Sequence, residues 1–128
     1  MTHSILRDKN YFSSITLRKT NVHTISSPVE MIDGSGNATI ILPNGTTLHI
    51  EDVLLSTKTK KKLLNFKDVR RNGYHFETIL EDDIDCLCII SYKMGIKTIN
   101  EKIKASISGL YCVPIRAIES YANVLKIN

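Results

Sequence analysis

The sequence predicts an all-β (mainly β) domain, a small barrel or meander with one short internal helix near residues 62–72. Three observations carry that expectation. Apolar runs of strand length recur at intervals of roughly 8 to 12 residues, separated by Gly-, Asn- and Asp-rich breaks. Pro43-Asn44-Gly45 lies between two β-rich runs, and Asn and Gly both tolerate the positive φ of a tight hairpin. The apolar period then changes after the basic run. Leu63, Phe66, Lys67 and Arg70 recur at spacings of 3 and 4, as do Leu64 and Asp68, and Gly73 stands where such a helix needs a left-handed C-terminal residue.

In chain order, Ile5 to Leu17 has a mixed period, with a short helical turn expected around Asp8 to Phe12 and ended by Ser13-Ser14. Asn21 to Ser27 alternates as a strand, and Pro28 breaks it or places it at an edge. Val29 to Ile32 is strand-like and runs into Asp33-Gly34-Ser35-Gly36-Asn37, which reads as a turn. Ala38 to Leu42 and Thr46 to Leu55 flank the Pro-Asn-Gly hairpin. On the second of these, Leu48, Ile50, Asp52 and Leu54 share one face, while His49, Glu51 and Val53 take the other. Leu48, Ile50, Leu54, Leu64, Phe66 and Phe76 are the expected core. Past Gly73, Tyr74 to Leu80 is a strand, Glu81 to Asp85 an acidic turn, Cys86 to Tyr92 a strand, and Lys93-Met94-Gly95 a turn. Ile96 to Ile99 and Lys102 to Ile107 are expected to pair across Asn100-Glu101, and Leu110 to Val113 is the last β segment before Pro114. In Arg116 to Asn128, Ile118, Tyr121, Ala122 and Leu125 fall at helical spacing, as in a terminal helix or a linker.

Length sets one domain of 128 residues, and 42% hydrophobic with 23% charged residues is ordinary for a folded globular protein. No apolar run approaches the roughly 20 residues of a membrane-spanning helix, and Met1 to Asp8 has no apolar signal core. An intracellular, cytoplasmic setting is expected, with the nucleus as the alternative, and no membrane partner. Cys86, Cys88 and Cys112 make no disulfide framework, and His3, His23, His49 and His75 lack the paired spacing of a zinc site. No metal and no cofactor is expected. Asp82, Asp83 and Asp85 lack the alternating ligands and final Glu of a calcium loop, and Gly34-x-Gly36 lacks the Gly-Lys-Ser/Thr of a phosphate loop. The net charge is +4, with Lys58, Lys60, Lys61 and Lys62 crowded together. They read first as a solvated turn that discourages strand aggregation. The rival reading joins them to Arg70 and Arg71 as a phosphate-attracting surface, though no aromatic residue is interleaved with the lysines to stack on bases.

The words Leu48-x-Ile50-x-Asp52-Val53-Leu54, Leu63-Leu64 and Val69-x-x-x-Gly73-Tyr74-x-Phe76 occur in an order that resembles one family. It is the protease-region β-barrel of Pol polyproteins from copia-type, tobacco-transposon-like LTR retrotransposons. Ile5 to Phe12 resembles the segment just after that family's catalytic loop, and Gly109-Leu110-Tyr111 the end of the region before the integrase. The resemblance covers roughly residues 3 to 115. It implies a small retropepsin-related barrel over 1–92, a closing β segment and start of the pre-integrase region over 93–115, and a linker or terminal helix over 116–128.

Enzymes of that kind need two facing carboxylates around one water, each supplied by an Asp-Ser/Thr-Gly loop in a homodimer. The sequence contains neither Asp-Ser-Gly nor Asp-Thr-Gly, and Met1-Thr2-His3 stands where the residues after the loop would be. Asp33 in Asp33-Gly34-Ser35-Gly36 is the nearest candidate, but its glycine follows directly and it reads as a turn residue. Asp52 is expected to hydrogen-bond adjacent loop backbone. The leading reading is a non-catalytic structural or interaction module, an N-terminally truncated fragment or descendant of such a Pol protein. One alternative is an aspartic endopeptidase processing a Gag-Pol polyprotein as a homodimer; another is a basic nucleic-acid-binding barrel. The partners implied are a second copy of the chain, other Gag-Pol segments, and nucleic acid.

Overall fold

A computed structural model of the chain describes residues 3–22, 30–58 and 62–118. The expected mainly-β architecture is what it has: two curled sheets forming a half-barrel, with one short α-helix. The first sheet contains β1 (Ile5–Leu6), β2 (Phe12–Val22), β3 (Glu30–Ile41) and β4 (Thr47–Leu55), in the spatial order β1-β4-β3-β2. The second contains β5 (His75–Glu81), β6 (Ile84–Lys93) and β7 (Ile96–Lys104), in sequence order. A 3-10 turn at Lys9–Tyr11 joins β1 to β2, close to the expected turn, and helix α1 (Phe66–Arg71) joins the sheets. One core unites them. Leu6, Ala38, Ile40, Leu42, Leu48, Ile50 and Val53 come from the first sheet and its hairpin, Val69 from α1, and Leu87, Ile89 and Ile103 from the second.

The hairpins follow from local backbone chemistry. Leu42 donates to the Thr46 carbonyl and Gly45 to the Leu42 carbonyl, both at 2.8 Å, around a left-handed Gly45. In the second sheet, Asp82 and Asp83 have φ of 52° and 61°, and Met94 and Gly95 have φ of 52° and 77°. Two left-handed central residues twist a two-residue loop in the sense the flanking strands require. Helix α1 starts at Asn65, whose side chain accepts from the Lys67 amide, and ends at a left-handed Gly73. It is shorter than residues 62–72 because Leu63 is engaged in a bridge with Ile5.

Several expected details are corrected. Asp33 to Asn37 does not turn; it lies inside β3, paired with both β2 and β4. Its glycines serve close strand packing instead, since an added Cβ at Gly36 would lie 2.0 Å from the Ser14 carbonyl oxygen and one at Gly34 2.6 Å from that of Thr16. Ser13 and Ser14 likewise continue β2 rather than ending an element. The face pattern of β4 changes phase midway. Ala38 faces Ile50 and Gly36 faces Val53, so Glu51 and Asp52 together oppose Asn37 in a bulge, with Asp52 at φ 53°. Val53 and Leu55 therefore join Leu48 and Ile50 in the interior, and Leu54 is half-buried.

Residues 96–104 form one strand, not two paired across Asn100-Glu101, because Glu101 is drawn into the interior by hydrogen bonds. The acidic turn contracts to Asp82-Asp83, with Ile84 and Asp85 in β6. Leu110 to Val113 makes only an isolated bridge, Ala105 with Tyr111, and Arg116 bridges back to Ile41. Phe66 is 57% exposed, whereas Leu64 and Phe76 are half-buried against the core. The continuation of the expected strand past Val22 to Ser27, Pro28, Lys60, Lys61 and the terminal helical spacing beyond Ile118 lie outside the described residues.

Candidate functional site

The acidic side chains are the place to look for catalysis, and three are tied to other segments of the chain. Asp33 is half-buried, and its Oδ2 accepts from the Thr57 amide at 2.8 Å and the Thr57 hydroxyl at 2.7 Å. That pairs the start of β3 with the residues leaving β4. Asp68 is buried on α1 and accepts from the Ser4 hydroxyl at 2.6 Å, while Ser4 Oγ accepts from the Asn65 amide at 2.9 Å. Asn72 completes the attachment of α1: its side chain exchanges hydrogen bonds with the His49 backbone at 2.9 Å and donates to the Asp68 carbonyl at 2.8 Å.

Glu101 is only 2% exposed. Its carboxylate accepts from the Asn44 amide at 2.9 Å, the Thr46 amide at 3.3 Å and the Thr46 hydroxyl at 2.6 Å. A buried carboxylate is tolerable only when donors replace its water, and here the tip of the β3–β4 hairpin supplies them. The signal is present in the sequence. Glu101 has the same strand parity as the inward Ile103, so an acid stands at an interior position.

Asp52, the other acid considered, is exposed; its backbone carbonyl lies 3.0 Å from His3 Nδ1, and its place is the bulge. Among the described residues no group of three His, Cys, Asp or Glu side chains is arranged to hold a metal ion.

Cys86 and Cys88 are buried on the outer face of β6. Glu77 and Lys102 flank Cys88 in register, and ion pairs Glu77–Lys97 and Glu81–Lys102 join the strands on either side of β6. Burial pushes the Cys88 thiol up, which opposes a reactive thiolate. The Lys102 ammonium holds the Glu81 carboxyl below its usual range, and Glu81 in turn raises Lys102. Hydrogen bonding to Glu77 raises Lys97. These are exposed pairs that order a surface, and such pairs add little stability.

A cavity of about 470 Å³ lies between the sheets, lined by Leu6, Ile50, Leu64, Phe66, Ile89 and Ile103 among others. Among the described residues Lys62 is the one charged member of that lining. Lys58 and Lys62 are exposed, as are Arg70 and Arg71 on α1, where Lys67 joins them. The structure sets Lys58 next to Thr57, which bonds Asp33, and gathers the other described members of the predicted basic set, Lys62, Arg70 and Arg71, on or just before one helix. It also places beside them the aromatic residue that the lysine run itself lacks: Phe66, at the start of α1, sits 4.6 Å from Phe76 between ring centroids.

Comparison with known proteins returns no matching family model, no matching curated protein and no matching solved structure.

Proposed function

We propose that the chain is a non-catalytic β-barrel module of the kind found in the protease region of copia-type Pol polyproteins, acting as a scaffold or interaction unit. The observation that carries this reading is the engagement of the candidate acid Asp33 by Thr57. In an aspartic protease the aspartate activates a water that it shares with a second carboxylate, and a tight loop presents it there. Asp33 instead has its Oδ2 tied to the Thr57 amide and hydroxyl, fastening β3 to the segment that leaves β4. Gly34 and Gly36, which would have to form a tight catalytic loop, lie in extended backbone packed against β2.

The test is peptidolysis of an unfolded substrate by the purified chain from acid to neutral pH. Cleavage is expected at the no-enzyme rate, in the parent and in Asp33→Asn alike. Asp33→Asn is expected to act on stability instead, lowering it by about 1 kcal/mol through the weakened Thr57 hydrogen bonds. Cleavage with an acidic optimum, blocked by a pepstatin-type inhibitor and lost in Asp33→Asn, would replace this reading with that of the endopeptidase.

A further inference from the structure

We propose that α1, together with Lys62 just before it, forms a binding surface for single-stranded nucleic acid, with Phe66 as its stacking platform. The inference does not depend on the barrel's ancestry. It starts from where the charge lies. Between Thr57 and Gly73 stand seven of the seventeen basic residues and one of the thirteen acids, which leaves ten basic and twelve acidic residues in the remainder. The excess positive charge of the chain therefore belongs wholly to this segment, an asymmetry that attracts polyanions.

Folding sharpens the asymmetry. Asp68, the segment's single acid, is turned inward and bonded to Ser4, and among the described residues it forms no ion pair with these cations. Lys62, Lys67, Arg70 and Arg71 are exposed, and both ion pairs among the described residues lie on the second sheet, away from them. Lysines that only keep a turn solvated need no aromatic companion. Here Phe66 is 57% exposed next to Lys67, and it lies one turn from Arg70 on the same helix face. Phe76 contacts it at 4.6 Å with the rings tilted by 38°, so one ring supports the other. An exposed, braced aromatic ring amid cations is the combination by which proteins hold single strands: charges follow the phosphates and the ring stacks on a base. A duplex fits less well. Six residues make a helix about 9 Å long, too short to read along a groove, and duplex bases offer no face for stacking.

The experiment is fluorescence anisotropy with labelled oligothymidine and oligouridine, inorganic polyphosphate as a base-free competitor, and vesicles of anionic lipid. Both oligonucleotides are expected to bind at about 50 mM salt, with log affinity falling against log salt at a slope of roughly −3, as for four or five neutralised phosphates. Arg70→Glu with Arg71→Glu should weaken binding at least about tenfold and flatten that slope. Phe66→Ala should weaken it by about five- to tenfold with the slope unchanged. Because the chain has no tryptophan, Phe66→Trp supplies a single reporter whose emission oligonucleotides should quench and polyphosphate should not. The proposal is overturned if no oligonucleotide binds at low salt, or if anionic vesicles bind and oligonucleotides do not. It is equally overturned if Phe66→Ala keeps full affinity and polyphosphate competes and quenches as well as the oligonucleotides, since the surface would then be a simple ion exchanger.

Discussion

Gly36→Ala is expected to cost about 3 kcal/mol or more, the largest loss from adding one methyl group to this chain. The added Cβ would lie 2.0 Å from the Ser14 carbonyl oxygen and 2.8 Å from the Ile15 Cα, both backbone atoms that no rotamer change can move. Gly36 is also paired on its other side with Val53, so β3 cannot retreat from β2 without disturbing β4. Gly45→Ala is the matched control. It has open space around its Cβ but a φ of 92°, so only backbone strain of about 1–2 kcal/mol is expected. Urea denaturation of both variants checks the claim. A Gly36→Ala midpoint no lower than that of Gly45→Ala would mean that β2 and β3 are not packed this closely.

Glu101→Leu should cost about 2–4 kcal/mol, although it exchanges a buried acid for a hydrophobe of similar size. The substitution removes the acceptor of the Thr46 hydroxyl and of the Asn44 and Thr46 amides, and Thr46 is itself buried. Glu101→Gln keeps one acceptor oxygen and should lose less, about 1–2 kcal/mol. Since this carboxylate joins the hairpin tip of the first sheet to β7 of the second, Glu101→Leu should also speed hydrogen exchange at the Asn44 and Thr46 amides. A Glu101→Leu variant as stable as the parent would show that apolar packing alone holds the sheets together here.

Where one physical signal dominates, the sequence is legible. The strand alternation of β4 up to Ile50, the Asn44-Gly45 hairpin, the existence of one short helix ending before Gly73 and the mainly β class all rest on local preferences. The misreadings share a different cause. Gly-rich Asp33 to Asn37 has turn composition, and only the neighbouring strand explains why glycine is needed there. Asp52 fits a strict alternation, and only the unmatched residue across from it reveals the bulge that turns Val53 inward. Asn100-Glu101 reads as a break until Thr46 and Asn44 supply the donors that let an acid point inward. Phe66 reads as core on hydrophobicity alone; on a helix of six residues, Val69 and Asp68 occupy the inward positions and Phe66 falls toward solvent. The same holds for the binding surface. The charge run is plain in the sequence, but the ring beside it becomes visible only once the helix face is defined.

The placement of β1 constrains the order in which the chain can assemble. Ile5 and Leu6 pair in parallel with Leu54 and Leu55, and Ile5 is bridged on its other side by Leu63. Ser4 meets Asp68, and its carbonyl accepts from the Leu54 amide at 3.0 Å. A parallel strand has no hairpin partner, so the loop to be closed is long and its entropy must be met before any of these contacts reward it. The residues of β1, synthesised before the other strands, are thus among the last able to settle, because the groove that takes them exists only after β4 and α1 have formed. Pulsed hydrogen exchange during refolding should find the Ser56 amide, which donates to the Leu6 carbonyl at 2.9 Å, protected later than the hairpin amide of Leu42. Until then Leu55 and Val69 stand uncovered, and a nascent chain held at that stage is the form of this protein most open to a chaperone.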